Sequence, residues 1–200
     1  MKIIVIGGTG TIGSAVVSEL KSRHDIITVG SSHGDIHADI LDKASIKSMY
    51  KKIGKVDAVV LTTGTVHFGA FEEMDDEKFH IGLKSKLMGQ VNSVMLGLEH
   101  VNDHGSFTLT SGILTLDPIR YGSSASMVNS AIDGFVRGAA IEMPRGIRIN
   151  CVSPTVLSES MEGYGPYFRG FKPVPAAEVA LAYSKSVEGL QTGQIYPVGY

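Results

Sequence analysis

Glycines near the start of the chain have the spacing that phosphate binding requires. In the stretch IVIGGTGTIGSAVV, Gly8, Gly10 and Gly13 satisfy the pattern G-x-G-x-x-G, and Gly7 extends it to the related G-x-x-G-x-x-G. Glycine permits a tight turn, a close approach of a pyrophosphate to the backbone, and close packing of a helix on a strand. The following helix adds free N–H groups and a partial positive charge at its N-terminus. The predicted dinucleotide contacts are Gly7, Gly8, Thr9, Gly10, Thr11, Ile12 and Gly13.

Residues after the second predicted strand bear on which dinucleotide binds. An acid about 20 residues past the glycines would hold the hydroxyls of the adenosine ribose, as in NAD(H) sites. The stretch TVGSSHG instead offers Ser31, Ser32 and His33, with no acid before Asp35. The two serine hydroxyls could donate to a 2′-phosphate, although this stretch has no arginine to clamp it. We therefore expect NADP(H) in preference to NAD(H), with His33 either a further donor or an exposed loop residue.

A tyrosine opens the stretch YGSSASMVNS at 121–130, and an apolar helix pattern follows it directly. A phenol with an ordinary pKa of about 10 is a poor acid or base at neutral pH unless a neighbouring cation lowers that pKa. The chain has no lysine between Lys86 and Lys172. The stretch is therefore either the chemical centre of an enzyme or the place where such a centre has been lost.

Strands that alternate with helices position these residues. Most of the strand-like runs are continuous and β-branched, which is typical of parallel strands buried on both faces. They occupy 2–7, 25–30, 34–40, 57–63, 106–111, 147–153 and 193–198. Helical patterns occupy 11–23, 43–53, 75–101 and 123–143, and the irregular stretch 158–175 predicts a surface loop or a short lid. The alternation predicts a doubly wound α/β sheet.

Composition favours one globular domain. A chain of 200 residues with 43% apolar and 19% charged residues predicts a single domain over 1–200. The net charge of −2 and the lack of a basic run argue against nucleic-acid binding. The first apolar run lasts only four residues before glycine, which is too short for a signal segment or a membrane span. We expect a cytoplasmic protein with no membrane partner.

Cysteine and histidine usage predicts neither a disulfide nor a metal site. The single cysteine, Cys151, lies in the apolar run IRINCV, where buried packing is expected rather than a reactive thiol. Seven histidines are scattered without the spacing of metal ligands. His67, in the loop after the fourth predicted strand, is either a substrate contact or an ordinary loop residue.

These motifs together resemble the short-chain dehydrogenase/reductase family almost from end to end. The glycine loop matches the family's variant pattern at Gly7, Gly10 and Gly13, and GSFTLTSG is similar to its fifth strand with the catalytic serine at Ser111. The stretch AAIEMPRGIRINCVSP is similar to the family's passage from a helix into strand six, and TGQIYPV to its final strand. The resemblance implies a Rossmann-type, mainly parallel seven-stranded sheet flanked by helices. It also implies hydride transfer between a nicotinamide and a carbonyl or alcohol carbon.

The resemblance implies further cofactor contacts at the ends of the strands. HADILD is similar to the segment that flanks the adenine, LTTG stands where the family has Asn-Ala-Gly, and SPTV stands where it has Pro-Gly. The residues carried over are Asp39, Ile40, Thr62, Thr63, Gly64, Pro154, Thr155 and Val156.

The chain departs from the family at its catalytic residues. The family uses a Tyr-x-x-x-Lys pair on the helix after strand five, assisted by a serine and an asparagine. Aligned on DGFVRGAAIEMPRGIRIN, the tyrosine position holds Ala125 and the lysine position holds Asn129. The asparagine position holds Lys86, so the lysine and the asparagine have exchanged helices, and only Ser111 keeps the family's residue type.

Two readings follow from this departure. In the first, Ser111, Tyr121 and Lys86 form a rearranged catalytic site on a small carbonyl or alcohol, with Asn129 as polar support, because Tyr121 lies one helical turn before Ala125. In the second, Tyr121 packs or caps its loop and Lys86 is solvated or binds ribose. The protein would then bind a dinucleotide without catalysis, as a redox-responsive regulator or a partner-binding protein.

The resemblance also implies a homodimer or homotetramer, because family members usually pair their two long central helices. The small residues Gly134, Gly138, Ala139 and Ala140 would suit such packing. They would equally suit packing of the helix on its own sheet.

Overall fold

Seven parallel strands form one sheet in the computed structural model, which describes residues 1–200. The strand order is β3-β2-β1-β4-β5-β6-β7, and every neighbouring pair is parallel. The strands are β1 (Lys2–Ile6), β2 (Asp25–Gly30), β3 (Ile36–His37), β4 (Val56–Leu61), β5 (Val101–Thr110), β6 (Arg148–Pro154) and β7 (Ile195–Val198). The predicted Rossmann-type doubly wound sheet is confirmed.

Helices cover both faces of the sheet. They are α1 (Thr11–Leu20), α2 (Lys43–Ile53), α3 (Asp76–Gly82), α4 (Gly89–Gly97), α5 (Ser123–Ala140), α6 (Met161–Tyr164) and α7 (Ala176–Glu188). Helices α1 and α7 pack on one face, and α2, α4 and α5 pack on the other. Strand β1 is buried on both sides, since Ile4 and Ile6 face one core and Ile3 and Val5 the other. No helix combines the length and the apolar character needed to cross a membrane.

The extent of β3 and the presence of α7 differ from the sequence prediction. The predicted strand over 34–40 was wrong in extent, because β3 pairs with β2 only at Ile36–His37. The Asp35 carboxylate accepts hydrogen bonds from the Thr28 backbone N–H (2.9 Å) and hydroxyl (2.7 Å), and this local bonding forms a turn in place of a strand. Helix α7 was not predicted, although its core residues Val179, Tyr183 and Val187 have four-residue spacing.

The predicted irregular stretch 158–175, called here the lid segment, is closed at its base. Backbone hydrogen bonds join Ser158 N–H to Val174 O (2.8 Å) and Val174 N–H to Val156 O (3.1 Å). Within the segment Phe168 is buried against Phe171, with ring centroids 5.1 Å apart. The segment is therefore anchored at its base and by its own aromatic side chains.

The turn between β1 and α1 requires glycine at two of its positions for steric reasons. Gly7 has φ +85°, and a Cβ there would lie 2.7 Å from Thr62 O. A Cβ on Gly13 would lie 2.0 Å from Gly7 O, closer than any real contact. At Gly10 the nearest atom to such a Cβ is 3.4 Å away, so the fold itself tolerates a side chain there.

We predict that Gly13→Ala destabilises the protein and that Gly10→Ala does not. The added methyl of the first variant overlaps a backbone carbonyl, and overpacking of this kind costs about 1–3 kcal/mol. For a chain of this size that corresponds to a fall in Tm of roughly 2–12 °C. Thermal unfolding by circular dichroism measures both variants, and an unchanged Tm for Gly13→Ala would contradict the steric assignment.

Candidate functional site

Parallel strands bring the predicted site residues to one edge of the sheet. The segments that follow β1, β4, β5 and β6 all leave from the carboxyl ends of their strands. The chain reverses its winding direction between β1 and β4, and ligands of open α/β sheets bind in the crevice at such a switch point. The glycine loop, Thr62–Gly64, Ser111 and Thr155 therefore share one edge.

The glycine loop has the features of a phosphate cradle. Thr9, Gly10 and Thr11 are exposed at the start of α1. Gly10 is the N-cap of α1, and no side chain satisfies the first N–H groups of this ten-residue helix. Free N–H groups and a loop without side chains at its tightest points are what a pyrophosphate needs. The residues present fit a dinucleotide.

The loop after β2 exposes hydroxyl groups, whereas the acid in it, Asp35, is hydrogen-bonded to Thr28. Ser31 and Ser32 are exposed, and Ser32 Oγ lies 3.0 Å from His33 Nδ1. Hydrogen bonds from the Thr28 N–H and hydroxyl keep the pKa of the Asp35 carboxyl below its usual value and hold the group against Thr28. The exposed groups at the tip of β2 are therefore the two serines and His33.

The predicted adenine contacts lie beside the start of α4. Asp39 is exposed, and its carboxylate accepts from the Leu41 N–H at 2.9 Å. Ile40 packs against Gly89 so closely that a Cβ on Gly89 would lie 2.8 Å from Ile40 Cδ1. This glycine lets the segment after β3 approach the helix.

A π-helical turn over Leu83–Met88 interrupts the helix that was predicted across 75–101, and Lys86 lies in it. Gln90, which the sequence analysis did not single out, fixes this turn. Its Nε2 donates to Lys86 O and Thr110 O, both at 3.0 Å, and its Oε1 accepts from the Thr110 N–H at 2.9 Å. On the other side Gly64, with φ +120°, packs directly on Lys86, since a Cβ there would lie 2.5 Å from Lys86 Cα. Single π-helical turns within α-helices are frequent at functional sites.

The Lys86 side chain reaches the end of β5. Its Nζ donates to the backbone carbonyl of Ser111 at 3.1 Å. Burial lowers the pKa of Lys86 to about 8, while the nearby Asp133 and Cys151 act in the opposite direction. The structure thus brings Lys86 and Ser111 together. With a pKa of about 8, the lysine can gain or lose a proton near neutral pH.

Asp133 is a second residue that the sequence analysis missed. The residue is only 3% exposed, and burial raises the pKa of its carboxyl, while the Ser111 hydroxyl, Arg137, Cys151 and Thr115 favour the charged form. Neither Asp133 Oδ1 nor Ser111 Oγ has a hydrogen-bond partner of good geometry in the protein. An acid in the buried stripe of α5, one turn after Asn129, was a sequence signal for this position. The thiol of Cys151, fully buried, has its pKa raised by burial and is unreactive.

The family's tyrosine and lysine positions are both buried. Asn129 is 3% exposed, with Nδ2 near Gly112 and with Oδ1 unpaired. Ala125 is 2% exposed and packs in an apolar cluster with Val156 and Phe168. An amide therefore borders Ser111, and apolar side chains fill the tyrosine position.

Tyr121 lies apart from this polar group. It has the left-handed φ of +69°, and its backbone carbonyl accepts from the Gly69 N–H at 3.1 Å. Its ring meets Tyr167 edge to face at 5.8 Å and lies under the Arg120 guanidinium at 4.6 Å. No hydrogen bond joins its hydroxyl to Ser111 or Lys86. The structure gathers Ser111, Lys86 and Asn129, and it places Tyr121 among neighbouring aromatic rings.

The residues after β4 and β6 complete the edge. The Thr62 hydroxyl donates to Ile6 O at 3.1 Å, and Thr63 is partly exposed beside it. Pro154, Thr155 and Val156 are buried, and the Thr155 hydroxyl has no hydrogen-bond partner. No group of three or more His, Cys, Asp or Glu side chains is arranged to hold a metal ion.

Comparisons with known proteins agree with this geometry. A family model described as enoyl-(acyl carrier protein) reductase matches residues 12–185. Oxidoreductase UcpA of Escherichia coli (strain K12) is 30% identical over 139 residues, which are 62% of this chain and 52% of that protein. The chain thus spans about half the length of this curated relative.

Solved structures extend the similarity over the whole chain. The protein lin1944 from Listeria innocua is 53% identical, with a TM-score of 0.98 and 99% of both chains covered. A small-chain dehydrogenase solved in complex with NADPH is 24% identical, with a TM-score of 0.89, covering 99% of this chain and 96% of that one. The second likeness shows a shared fold.

On the expectation that Lys86 binds the ribose of the dinucleotide, we predict that NADPH affinity falls as the pH rises through about 8, because Lys86 then loses its charge. A charge-assisted hydrogen bond contributes about 1.5–3 kcal/mol, so the dissociation constant should rise by roughly 10- to 100-fold. Fluorescence titrations between about pH 7 and about pH 9.5 bracket the transition. Lys86→Met should bind weakly at every pH, and Lys84→Met, at an exposed neighbour, should behave as wild type.

The variant Asp133→Asn tests whether the Asp133 carboxylate raises the pKa of Lys86. The carboxylate favours the protonated lysine, so its removal should move the pH transition of NADPH binding to lower pH. A transition that persists in Lys86→Met would show that another group titrates.

Proposed function

The chain belongs to the short-chain dehydrogenase/reductase family of oxidoreductases, and from this membership we propose that it transfers hydride between NADP(H) and a small carbonyl or alcohol substrate. The observation that carries the proposal is the hydrogen bond of 3.1 Å between Lys86 Nζ and Ser111 O. It joins a lysine and a serine at the ligand edge of the sheet, although the family's Tyr-x-x-x-Lys pair is absent. These two residue types assist hydride transfer in the family.

The preference for NADP(H) rests on the end of β2. Ser31 and Ser32 are exposed donors, and Asp35 is bound to Thr28. A 2′-phosphate would meet hydroxyls there and no free carboxylate. When bound, the dinucleotide supplies or accepts the hydride, and the protein's own residues orient the substrate and handle the proton.

Ser111 and Lys86 act on the substrate oxygen in this proposal. The Ser111 hydroxyl is buried and has no protein partner of good hydrogen-bond geometry, so it can donate to a carbonyl oxygen. The Lys86 ammonium stabilises the negative charge that develops on that oxygen, an effect that is strong where water is excluded. Asn129, beside Gly112, limits the positions that this oxygen can take.

In the same proposal, the Tyr121 phenol donates a proton to the substrate oxygen or accepts one from it. It lies in the loop after β5, and its ring contacts Tyr167 of the lid segment. Catalytic hydrogen bonds are often long in ligand-free structures and tighten with substrate. The Tyr121 loop and the lid segment would have to close together over the substrate for the phenol to reach the oxygen.

A second candidate is a dinucleotide-binding protein without hydride transfer. Ala125 favours it, because the position of the family's acid–base tyrosine is filled by apolar packing. The lack of a hydrogen bond between Tyr121 and Ser111 favours it as well. Such a protein would respond to the redox state of the cofactor or bind a partner.

We predict that the purified protein binds NADPH more tightly than NADH and oxidises NADPH with a panel of aldehydes and ketones. Tyr121→Phe should lower kcat by roughly 100-fold or more, the usual contribution of a general acid, with unchanged NADPH affinity. Tyr196→Phe, at a phenol bonded to Gln191, is the matched control and should retain activity.

Three results would contradict this proposal. Binding of NADPH without turnover of any carbonyl would favour the second candidate. No binding of either dinucleotide would exclude both. Full activity in Tyr121→Phe and Lys86→Met would exclude the rearranged site.

We further propose that two copies associate through α4 and α5. Gly134 and Gly138 are exposed, and nothing lies within 4 Å of a Cβ built on either. They line an open groove with Met95 and Ala139, whereas Ala140 packs against Gly193. The two glycines therefore face away from the sheet, where close approach of another helix is possible.

We predict that Gly138→Glu reduces the molar mass measured by light scattering from that of a dimer or tetramer toward that of a monomer. A carboxylate in the centre of a close helix contact is costly, because it must be desolvated without a partner. Ala177→Glu, at an exposed position of α7, should leave the mass unchanged. A monomeric wild-type protein would contradict the proposal.

A further inference from the structure

A small cavity, called here the aromatic slot, lies between the lid segment and the loops that follow β4 and β5. Its volume is about 130 Å³, and it is lined by Phe68, Ile119, Arg120, Tyr121, Gly163, Tyr164 and Tyr167. Because β4, β5 and β6 are parallel, these loops all lie at the ligand edge of the sheet. The slot is therefore on the same side of the protein as Ser111 and Lys86.

Two pairs of rings form the walls of the slot. Phe68 and Tyr164 meet with centroids 5.7 Å apart and an interplanar angle of 63°. Tyr121 and Tyr167 meet at 5.8 Å and 66°. Each pair joins a sheet-edge loop to the lid segment. Aromatic walls in edge-to-face pairs favour another flat ring over a flexible chain.

The slot is built on the same apolar cluster as the position that the family uses for its acid–base residue. Phe68 and Ile119 pack on a buried cluster that contains Ala125 and Val156. Ala125 stands at the family's tyrosine position, and Val156 follows β6 at a predicted cofactor contact. The slot therefore shares one apolar cluster with the family's tyrosine position.

Size and charge narrow the chemistry of the ligand. An apolar cavity of about 150 Å³ is known to bind benzene, so the slot matches one six-membered ring. The Arg120 guanidinium stacks on Tyr121 at 4.6 Å and forms no hydrogen bond or ion pair in the protein. No acid lines the slot, and a free guanidinium at its rim suits a carboxylate.

The backbone of Tyr121 supports a functional reading of the slot. A tyrosine with φ +69° is in the left-handed region, which is unfavourable for a residue other than glycine. That conformation sets the ring between Arg120 and Tyr167. Strain at a residue that shapes a cavity is typical of ligand sites.

We propose that the aromatic slot binds the substrate of the reaction proposed above, and that this substrate is a single-ring aromatic carbonyl compound with an anionic substituent. The ring enters between the two aromatic pairs, and the anion meets Arg120 at the rim. Reduction moves a hydride from the reduced dinucleotide to the carbonyl carbon and a proton to its oxygen, which gives the aryl alcohol and the oxidised dinucleotide. The proposal rests on the proposed function for its chemistry and on the slot for its specificity.

Binding is measured first, because it does not depend on turnover. Saturation-transfer NMR and calorimetry on the full chain with the oxidised dinucleotide compare three aldehydes: 4-carboxybenzaldehyde, benzaldehyde and succinic semialdehyde. We expect the carboxylated ring to bind tightest, the neutral ring roughly tenfold more weakly, and the acyclic carboxylate more weakly still, since a charge-assisted pair contributes about 1.5 kcal/mol or more.

Two variants and a control distinguish recognition of the aromatic ring from recognition of the charge. Arg120→Gln should lower affinity for 4-carboxybenzaldehyde about tenfold and leave that for benzaldehyde unchanged, because only the first has a carboxylate to pair. Tyr167→Leu should weaken both. Arg169→Gln, at an exposed arginine of the lid segment outside the slot, should match wild type. Circular dichroism establishes that each variant is folded.

The outcomes distinguish this proposal from the one on which it rests. Turnover of acyclic carbonyls without binding of either aromatic aldehyde overturns the slot and leaves the oxidoreductase intact. Binding of 4-carboxybenzaldehyde without its reduction supports the slot and counts against the proposed hydride transfer. Equal affinity for the charged and neutral rings, in wild type and in Arg120→Gln, would contradict the proposal that the substrate carries an anionic substituent.

Discussion

The rest of the site depends on one buried amide. Gln90 is fully buried. Its amide donates to Lys86 O and Thr110 O and accepts from the Thr110 N–H. An unsatisfied polar group at this depth costs about 1–3 kcal/mol, so the end of β5 and the π-helical turn are fixed relative to each other. Ser111 follows the end of β5, and Lys86 belongs to the π-helical turn. Their contact is a consequence of the positions that Gln90 fixes.

That contact comes at a cost in stability. Burial lowers the pKa of Lys86 from its ordinary value of 10.5 to about 8, which means that the fold disfavours the charged lysine. The cost is fully present below pH 8 and declines as the pH rises toward the pKa of the unfolded chain. Asp133 offsets part of it, and that acid is itself buried and short of partners. Groups kept at such a cost are typical of functional sites rather than of plain cores.

The sequence predicts the sheet well because buried parallel strands have a distinctive pattern. Continuous runs such as KIIVIG need no partner to be recognised. The extent of β3 was wrong because bonds between Asp35 and Thr28 are local details that hydrophobic periodicity does not encode. In the site, the motif resemblance led to Ser111 and Lys86, whereas Gln90 and Asp133 lie outside the family's four catalytic positions. The direction of the Tyr121 ring depends on a positive φ, which residue type alone does not indicate.

The closed base of the lid segment has a kinetic consequence. Hydrogen bonds between Val156, Ser158 and Val174 already hold its ends together, so the entropy of loop closure is lost during folding and not when a ligand arrives. Closure over a substrate would then be a movement of packed rings on an anchored base rather than the ordering of a free chain. We therefore expect the residence time of a ligand in the proposed aromatic slot to depend on how fast the two aromatic pairs separate.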